Sequence, residues 1–176
     1  MGILLSWGIQ LRTALLPIGI ILVTGHAFIM GLPPLAMEPS QHLIVDKMKN
    51  EMFLYEQGRL VERFNVATGR RPDMTPEGRF YVVSKSLVPN EPEQRYLFGT
   101  RWMGLGVPGG EKGDVYGIHG TGQPGTLGGH ESAGCIRMGI RDAERLYDRV
   151  REGDTVVYIM SHRYSILIHR AMNPAY

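Results

Sequence analysis

The chain has 176 residues, of which 43% are hydrophobic and 20% charged, enough for one globular domain with a short extension. A formal net charge of +2 is too mild for an electrostatic nucleic-acid binder, and no dense Lys/Arg patch with interleaved aromatics occurs, so no nucleic-acid partner is expected. Twenty-three glycines and eleven prolines imply frequent turns and favour a β-rich fold over a helical bundle.

The chain opens with an apolar stretch. Arg12 is the only charged side chain before Thr13, and none follows until after Met37. A bilayer core takes about 20 mostly apolar helical residues, so residues 1–37 are expected to be a signal peptide or a signal-anchor helix. Pro17, Gly19, Gly25, His26 and the Pro33-Pro34 pair weaken the helix and leave a buried core helix as the bland alternative. The absence of a clean Ala-x-Ala site and of a lipoprotein cysteine favours an uncleaved anchor over a cleaved leader. Residues 38–41 read as a linker, 42–160 as the folded domain and 161–176 as a C-terminal extension.

Strands are expected at His42–Asp46, Glu51–Glu56 and Leu60–Ala67, the last two joined at Gln57-Gly58, a hairpin signal. Thr75–Gly78 reads as a turn into a strand at Arg79–Ser84. Lys85–Gln94 reads as a polar, proline-containing loop, and Tyr96–Leu105 as containing a strand. Val115–Ile118 is a short strand that ends at His119. Ala143, Leu146, Tyr147 and Val150 then share one face at helical spacing, so Arg141–Arg151 is a helix, with Gly153 as its stop. Thr155–Met160 is a closing strand and Arg163–His169 a further one. The expected fold is mainly β, with one clear helix.

Chemistry concentrates between His119 and Met138. Cys135 is the only cysteine, so it has no intramolecular disulfide partner. In an oxidising compartment a free thiol is a liability, which points to use as a reactive group. A lone cysteine is more often a small buried hydrophobe; the surrounding segment is what tips the reading. A thiol needs a neighbour to lower its pKa or take its proton, and His119 is the natural base. Its second nitrogen needs a fixed partner, for which the Gly120 carbonyl serves. Gly134 allows close backbone approach, so N–H groups at Gly134 and Cys135 are candidates for an oxyanion hole. Arg137 offers a planar fork for a substrate carboxylate. His130 is either a second base or a surface residue, and His26, His42, His162 and His169 read as structural. His119, His130 and Cys135 lack standard zinc spacing and a fourth ligand, so no metal is expected. Gly104–Gly110 follows neither a Rossmann nor a P-loop pattern, and no cofactor is expected.

The run Tyr116-Gly-Ile-His119-Gly120-Thr121, then Ser132-x-Gly134-Cys135-Ile136-Arg137-Met138, resembles the signature of the L,D-transpeptidase (YkuD-type) catalytic domain. Leu43–Asp46, Leu54-Tyr55, Gly58, Ala67–Gly69, Thr75-Pro76-x-Gly78-x-Phe80 and the Asp142–Tyr147 helix are similar to its flanking features. The resemblance covers about Gln41 to Ile159. It implies a compact β-sandwich or barrel-like domain with a helix beside the site. It makes Cys135 the nucleophile, His119 the general base, the Gly120 carbonyl the orienting group, and Gly134, Arg137, Ser132 and Tyr116 oxyanion- or substrate-binding residues.

The implied reaction uses peptidoglycan stem peptides. The thiol attacks the L,D bond of a tetrapeptide, D-Ala leaves, and the acyl group passes to a side-chain amine of a neighbouring stem. That implies a cell-envelope, extracytoplasmic location. Hydrolysis of the same acyl-enzyme, as in an L,D-carboxypeptidase, and a non-catalytic wall-binding module remain alternatives. Many members carry histidine where this chain has Ala133, a position read as auxiliary.

Overall fold

The computed structural model describes residues 40–161 and Leu167. The expected N-terminal helix at residues 1–37 lies outside the described residues, as does the expected Arg163–His169 strand apart from Leu167, which is helical rather than extended. Among the described residues no helix is long and apolar enough to cross a membrane.

Among residues 40–161 there are nine strands and two α-helices. In chain order they are β1 (Gln41–Asp46), β2 (Glu51–Glu56), β3 (Arg59–Gly69), β4 (Gly78–Leu87), α1 (Pro92–Phe98), β5 (Arg101–Leu105), β6 (Gly117–Thr121), β7 (His130–Ser132), β8 (Ile136–Gly139), α2 (Ile140–Arg149) and β9 (Val156–Met160). The sheet order is β2-β1-β9-β4-β5-β6-β8-β3-β7, and β2 also pairs with β3. That extra pairing closes eight strands into a ring and leaves β7 appended to β3. Closure removes the free edges that an open sheet would present.

The alternation within strands explains the core. Leu43 and Val45 of β1 and Met52 and Leu54 of β2 point inward with Phe64, Val66, Ile118, Ile136 and Met138. The opposite faces of β1 and β2 are buried too, as Ile44, Phe53 and Tyr55 form a second cluster with Met160. The Gln57-Gly58 hairpin forms as expected, with φ of 50° and 73° at its two central residues. Helix α2 packs on β5, β6 and β8, and its Ala143 and Leu146 are fully buried in the main core.

Three local expectations need correction. Lys85–Gln94 is not one loop: β4 continues to Leu87 and α1 begins at Pro92. Proline suits the first helical turn, where its missing N–H costs nothing, and Glu93 complements the dipole there. Tyr96 to Phe98 therefore belong to α1, and the strand expected within Tyr96–Leu105 is Arg101–Leu105. Second, His119 lies inside β6 rather than at a strand's end, because β6 is paired on both sides, antiparallel to β5 and parallel to β8. Third, α2 ends at Arg149. Val150 turns extended as its cap, and Gly153, with φ 79°, belongs to the turn beyond.

Candidate active site

Strand pairing sets the site. On β6, His119 stands opposite Trp102 of β5 on one side and Arg137 of β8 on the other. Cys135 immediately precedes β8, so the parallel β6–β8 pair brings the thiol and the imidazole to neighbouring strands.

His119 is 2% exposed. Its ring stacks on Trp102, with centroids 5.5 Å apart at 16°, and meets the edge of Phe98 at 5.1 Å. The indole can lie there because Gly117 has no side chain: a Cβ on Gly117 would come within 2.6 Å of the Trp102 ring. Nδ1 of His119 is 2.6 Å from the Gly120 carbonyl oxygen. A carbonyl can only accept, so Nδ1 carries the proton and Nε2 keeps a free lone pair. Burial lowers the pKa of His119 to about 4, with the Arg137 charge adding to the effect and the Gly120 hydrogen bond opposing it. The near-neutral titration expected from the sequence is thus displaced, and the ring is neutral at pH 7.

This shift has a sign that can be tested. The ordinary value is 6.5 and the folded value about 4. Between them the unfolded chain binds a proton that the folded chain refuses. The stabilisation is complete above pH 6.5 and is lost as pH falls toward 4, by up to about 3 kcal/mol. Urea midpoints measured from pH 7 to 4 are expected to fall more steeply for the native chain than for His119→Gln. Equal slopes would contradict the burial argument.

Cys135 opens onto a cleft of about 470 Å³ that is also lined by Leu87, Phe98, Trp102 and Ala133. Burial raises its thiol pKa above the ordinary 9.0, opposed by a hydrogen bond from the Gly117 N–H and by the Arg137 charge. Its Sγ lies 3.8 Å from the Val115 carbonyl oxygen. The resting pair is therefore a protonated thiol and a neutral imidazole.

The loop before the thiol is tied from both sides. The Ser132 hydroxyl donates to the Cys135 carbonyl at 2.6 Å and accepts the Gly134 N–H at 3.0 Å. Thr75 Oγ1 donates to the Gly134 carbonyl at 2.9 Å and accepts the Gly69 N–H at 2.8 Å. Thr75→Val leaves two buried backbone groups without partners, each costing about 1–3 kcal/mol. A matching drop in the urea midpoint, with weaker activity at 25 °C, is the expected outcome. An unchanged midpoint would show that Thr75 does not hold the loop.

Of the expected site residues, His119 lies opposite Arg137 and against the Gly120 carbonyl, and Cys135 precedes β8 on the neighbouring strand. The Arg137 Nε is buried and has no hydrogen-bond partner among the described residues. Others sit differently. The Gly134 N–H is spent on Ser132, which leaves Cys135 as the backbone donor of that pair. Ser132 is itself 1% exposed and serves the loop rather than the cleft. Tyr116 packs against the core, its ring over Gly134. His130 is not beside the thiol: its Nδ1 is 3.0 Å from Thr68 Oγ1, at a separate cavity lined by Lys47, Arg70 and Arg71. The walls of the histidine slot, Trp102 and Phe98, are not legible in the sequence, since the β5–β6 register brings Trp102 there and the packing of α1 on β6 brings Phe98. No cluster of three or more His, Cys, Asp or Glu that could hold a metal occurs among the described residues.

Known proteins share this fold and sequence family. An L,D-transpeptidase from Mycobacterium smegmatis superposes with a TM-score of 0.54 at 19% identity, over 69% of this chain and 59% of that one. The chain thus spans less than two thirds of that protein's length, and the fold is of the L,D-transpeptidase type. Residues 40–159 match the family model of the YkuD L,D-transpeptidase catalytic domain. YqjB of Bacillus subtilis, provisionally designated an L,D-transpeptidase, is 32% identical over 141 residues, 76% of this chain and 78% of its own. YkuD of the same organism, similarly designated, is 31% identical over 136 residues, 77% of this chain and 76% of its own. The chain belongs to the YkuD family of L,D-transpeptidase catalytic domains.

Proposed function

We propose that the chain is a peptidoglycan L,D-transpeptidase working through a Cys135 acyl-enzyme. The observation that carries this reading is the contact of His119 Nδ1 with the Gly120 carbonyl. It orients the ring and leaves Nε2 as the only nitrogen able to take a proton. Cys135 Sγ adds to the carbonyl carbon of the L,D bond in a tetrapeptide stem while its proton passes to Nε2. In this reading the Cys135 N–H and the Arg137 guanidinium offset the charge that develops on the carbonyl oxygen. The tetrahedral intermediate then breaks its C–N bond, and the departing D-Ala amine takes the proton from His119. The resulting thioester is attacked by a side-chain amine of a second stem. That amine loses its proton to Nε2, and the thiol leaves and is reprotonated.

A neutral imidazole suits this cycle, because it must accept a proton at each attack and return it at each departure. Residues 42–160 form the catalytic domain in this reading. The uncharged stretch from Thr13 to Met37 supports delivery to the cell envelope as a leader or an anchor.

Intact-mass spectrometry of the chain mixed with a disaccharide-tetrapeptide tests the proposal. Loss of D-Ala, an adduct on Cys135 and a cross-linked dimer are expected. Tripeptide without dimer would establish hydrolysis instead. A folded protein with a free thiol that yields neither adduct nor product would sink the catalytic reading.

A further inference from the structure

We propose that Lys47 is a positioning residue for acyl transfer: its buried ammonium fixes the segment that aims the Cys135 N–H at the developing oxyanion. The inference rests on the acyl-transfer reading of the site and adds to it a residue from the turn between β1 and β2.

Lys47 follows β1 in a turn, where a lysine is ordinarily solvated, yet it is only 7% exposed. A buried ammonium persists where its three protons find acceptors. Two of the acceptors are backbone carbonyls, Pro72 at 2.6 Å and Thr75 at 2.7 Å, and the third is the Glu77 carboxylate at 3.3 Å. All three lie between the end of β3 at Gly69 and the start of β4 at Gly78, a stretch outside every strand. Lys47 is itself fixed to the barrel, since its N–H donates to the Met160 carbonyl of β9 at 3.0 Å. One side chain thus ties an irregular segment to the sheet. Its two shortest bonds go to carbonyls rather than to the carboxylate, so it serves the backbone path more than charge neutralisation.

The effect reaches the thiol through a single peptide. With its own carbonyl held, Thr75 presents Oγ1 to the Gly134 carbonyl at 2.9 Å. That carbonyl and the Cys135 N–H belong to one planar trans peptide and point in opposite directions. A hydrogen bond that fixes the carbonyl therefore fixes where the N–H points. It also polarises the peptide, which strengthens the N–H as a donor. Ser132 holds the Gly134 N–H and the Cys135 carbonyl on either side, and the Thr75 bond acts on the plane between them.

Two reactions of the same thiol separate this role from general packing. Iodoacetamide alkylates Cys135 by direct displacement of iodide at a saturated carbon, with no oxyanion. p-Nitrophenyl acetate acetylates it through a tetrahedral oxyanion and releases p-nitrophenolate. In the full chain, Lys47→Met keeps the side chain's length and removes its donors. Acetylation is expected to slow about ten- to a hundredfold, and kcat for D-Ala release from the tetrapeptide to fall by a similar factor. KM and the alkylation rate are expected to stay within about twofold of native. Lys47→Gln keeps an amide donor and is the milder change. It is expected to show the same split on a smaller scale, and it carries the test if Lys47→Met does not fold. Equal slowing of alkylation and acetylation, or native rates of both in a folded variant, overturns the assignment.

The stem-peptide reaction is judged separately. D-Ala release at the native kcat by a folded Lys47→Met would remove the positioning role and keep acyl transfer. Slowed acetylation with unslowed alkylation, but no D-Ala release even from the native chain, would keep the role of Lys47 and remove the stem-peptide reaction.

Discussion

Cys135→Ser is expected to lower D-Ala release by at least about a thousandfold, and His119→Gln to do the same, with each variant still folded. The two losses have different origins. Serine keeps the side chain's size, but its hydroxyl is a far weaker nucleophile toward an amide, and the neutral His119 is too weak a base to make up the difference. Glutamine fills much of the slot between Trp102 and Phe98 and can still donate to the Gly120 carbonyl. It has no lone-pair nitrogen to accept the thiol proton. Because the two residues act as one unit, the double variant should be little worse than either single one. Intact mass gives the readout, since neither variant should accumulate an adduct. Near-native turnover by either would refute the mechanism.

Gly134→Ala is expected to be nearly as damaging by another route. Gly134 has φ 138°, where an L side chain is strained, and a Cβ would lie 2.6 Å from the Met74 carbonyl oxygen and 2.7 Å from the Tyr116 ring. Neither obstacle is the free end of a flexible side chain. The loop must move, and Cys135 moves with it. Strain of about 1–3 kcal/mol should appear in the urea midpoint, and a displacement near 1 Å should cost about a hundredfold in turnover. Gly58→Ala is the control. That glycine also has positive φ, 73°, but its Cβ would meet nothing within 4 Å. It should lose stability and keep its rate. If Gly134→Ala turns over normally, the tied loop is not what positions the thiol.

Some of this is legible in the sequence and the rest is not, for physical reasons. Glu51–Glu56 and the Gln57-Gly58 turn were readable because local alternation and turn chemistry decide them. The His119–Met138 segment was readable because reactive residues and glycines crowd together in it. Helix α1 was missed because Pro92 looks like loop punctuation until the dipole and the first-turn geometry are considered. The interior position of His119 in β6 depends on pairing with β5 and β8, partners distant in sequence, so no local window contains it. Thr75 looked like part of a turn, and its hydrogen bonds to Gly69 and Gly134 are tertiary. His130 illustrates the converse: five residues from the thiol in sequence, it turns to Thr68 because β7 pairs with β3.

The parallel pairing of β1 with β9 gives the domain a polarity. His42 lies level with Val156, and Asp46 with Met160. The polypeptide thus enters the barrel at Ser40, beside the Gln57 turn, and departs a full strand length away. At the departure end the Lys47 N–H binds the Met160 carbonyl, the Lys47 Nζ reaches the Thr75 carbonyl at 2.7 Å, and Thr75 Oγ1 holds Gly134. The chain beyond Met160 thus begins two hydrogen-bonded residues from the Cys135 loop, while Ser40 stands at the opposite end of β1.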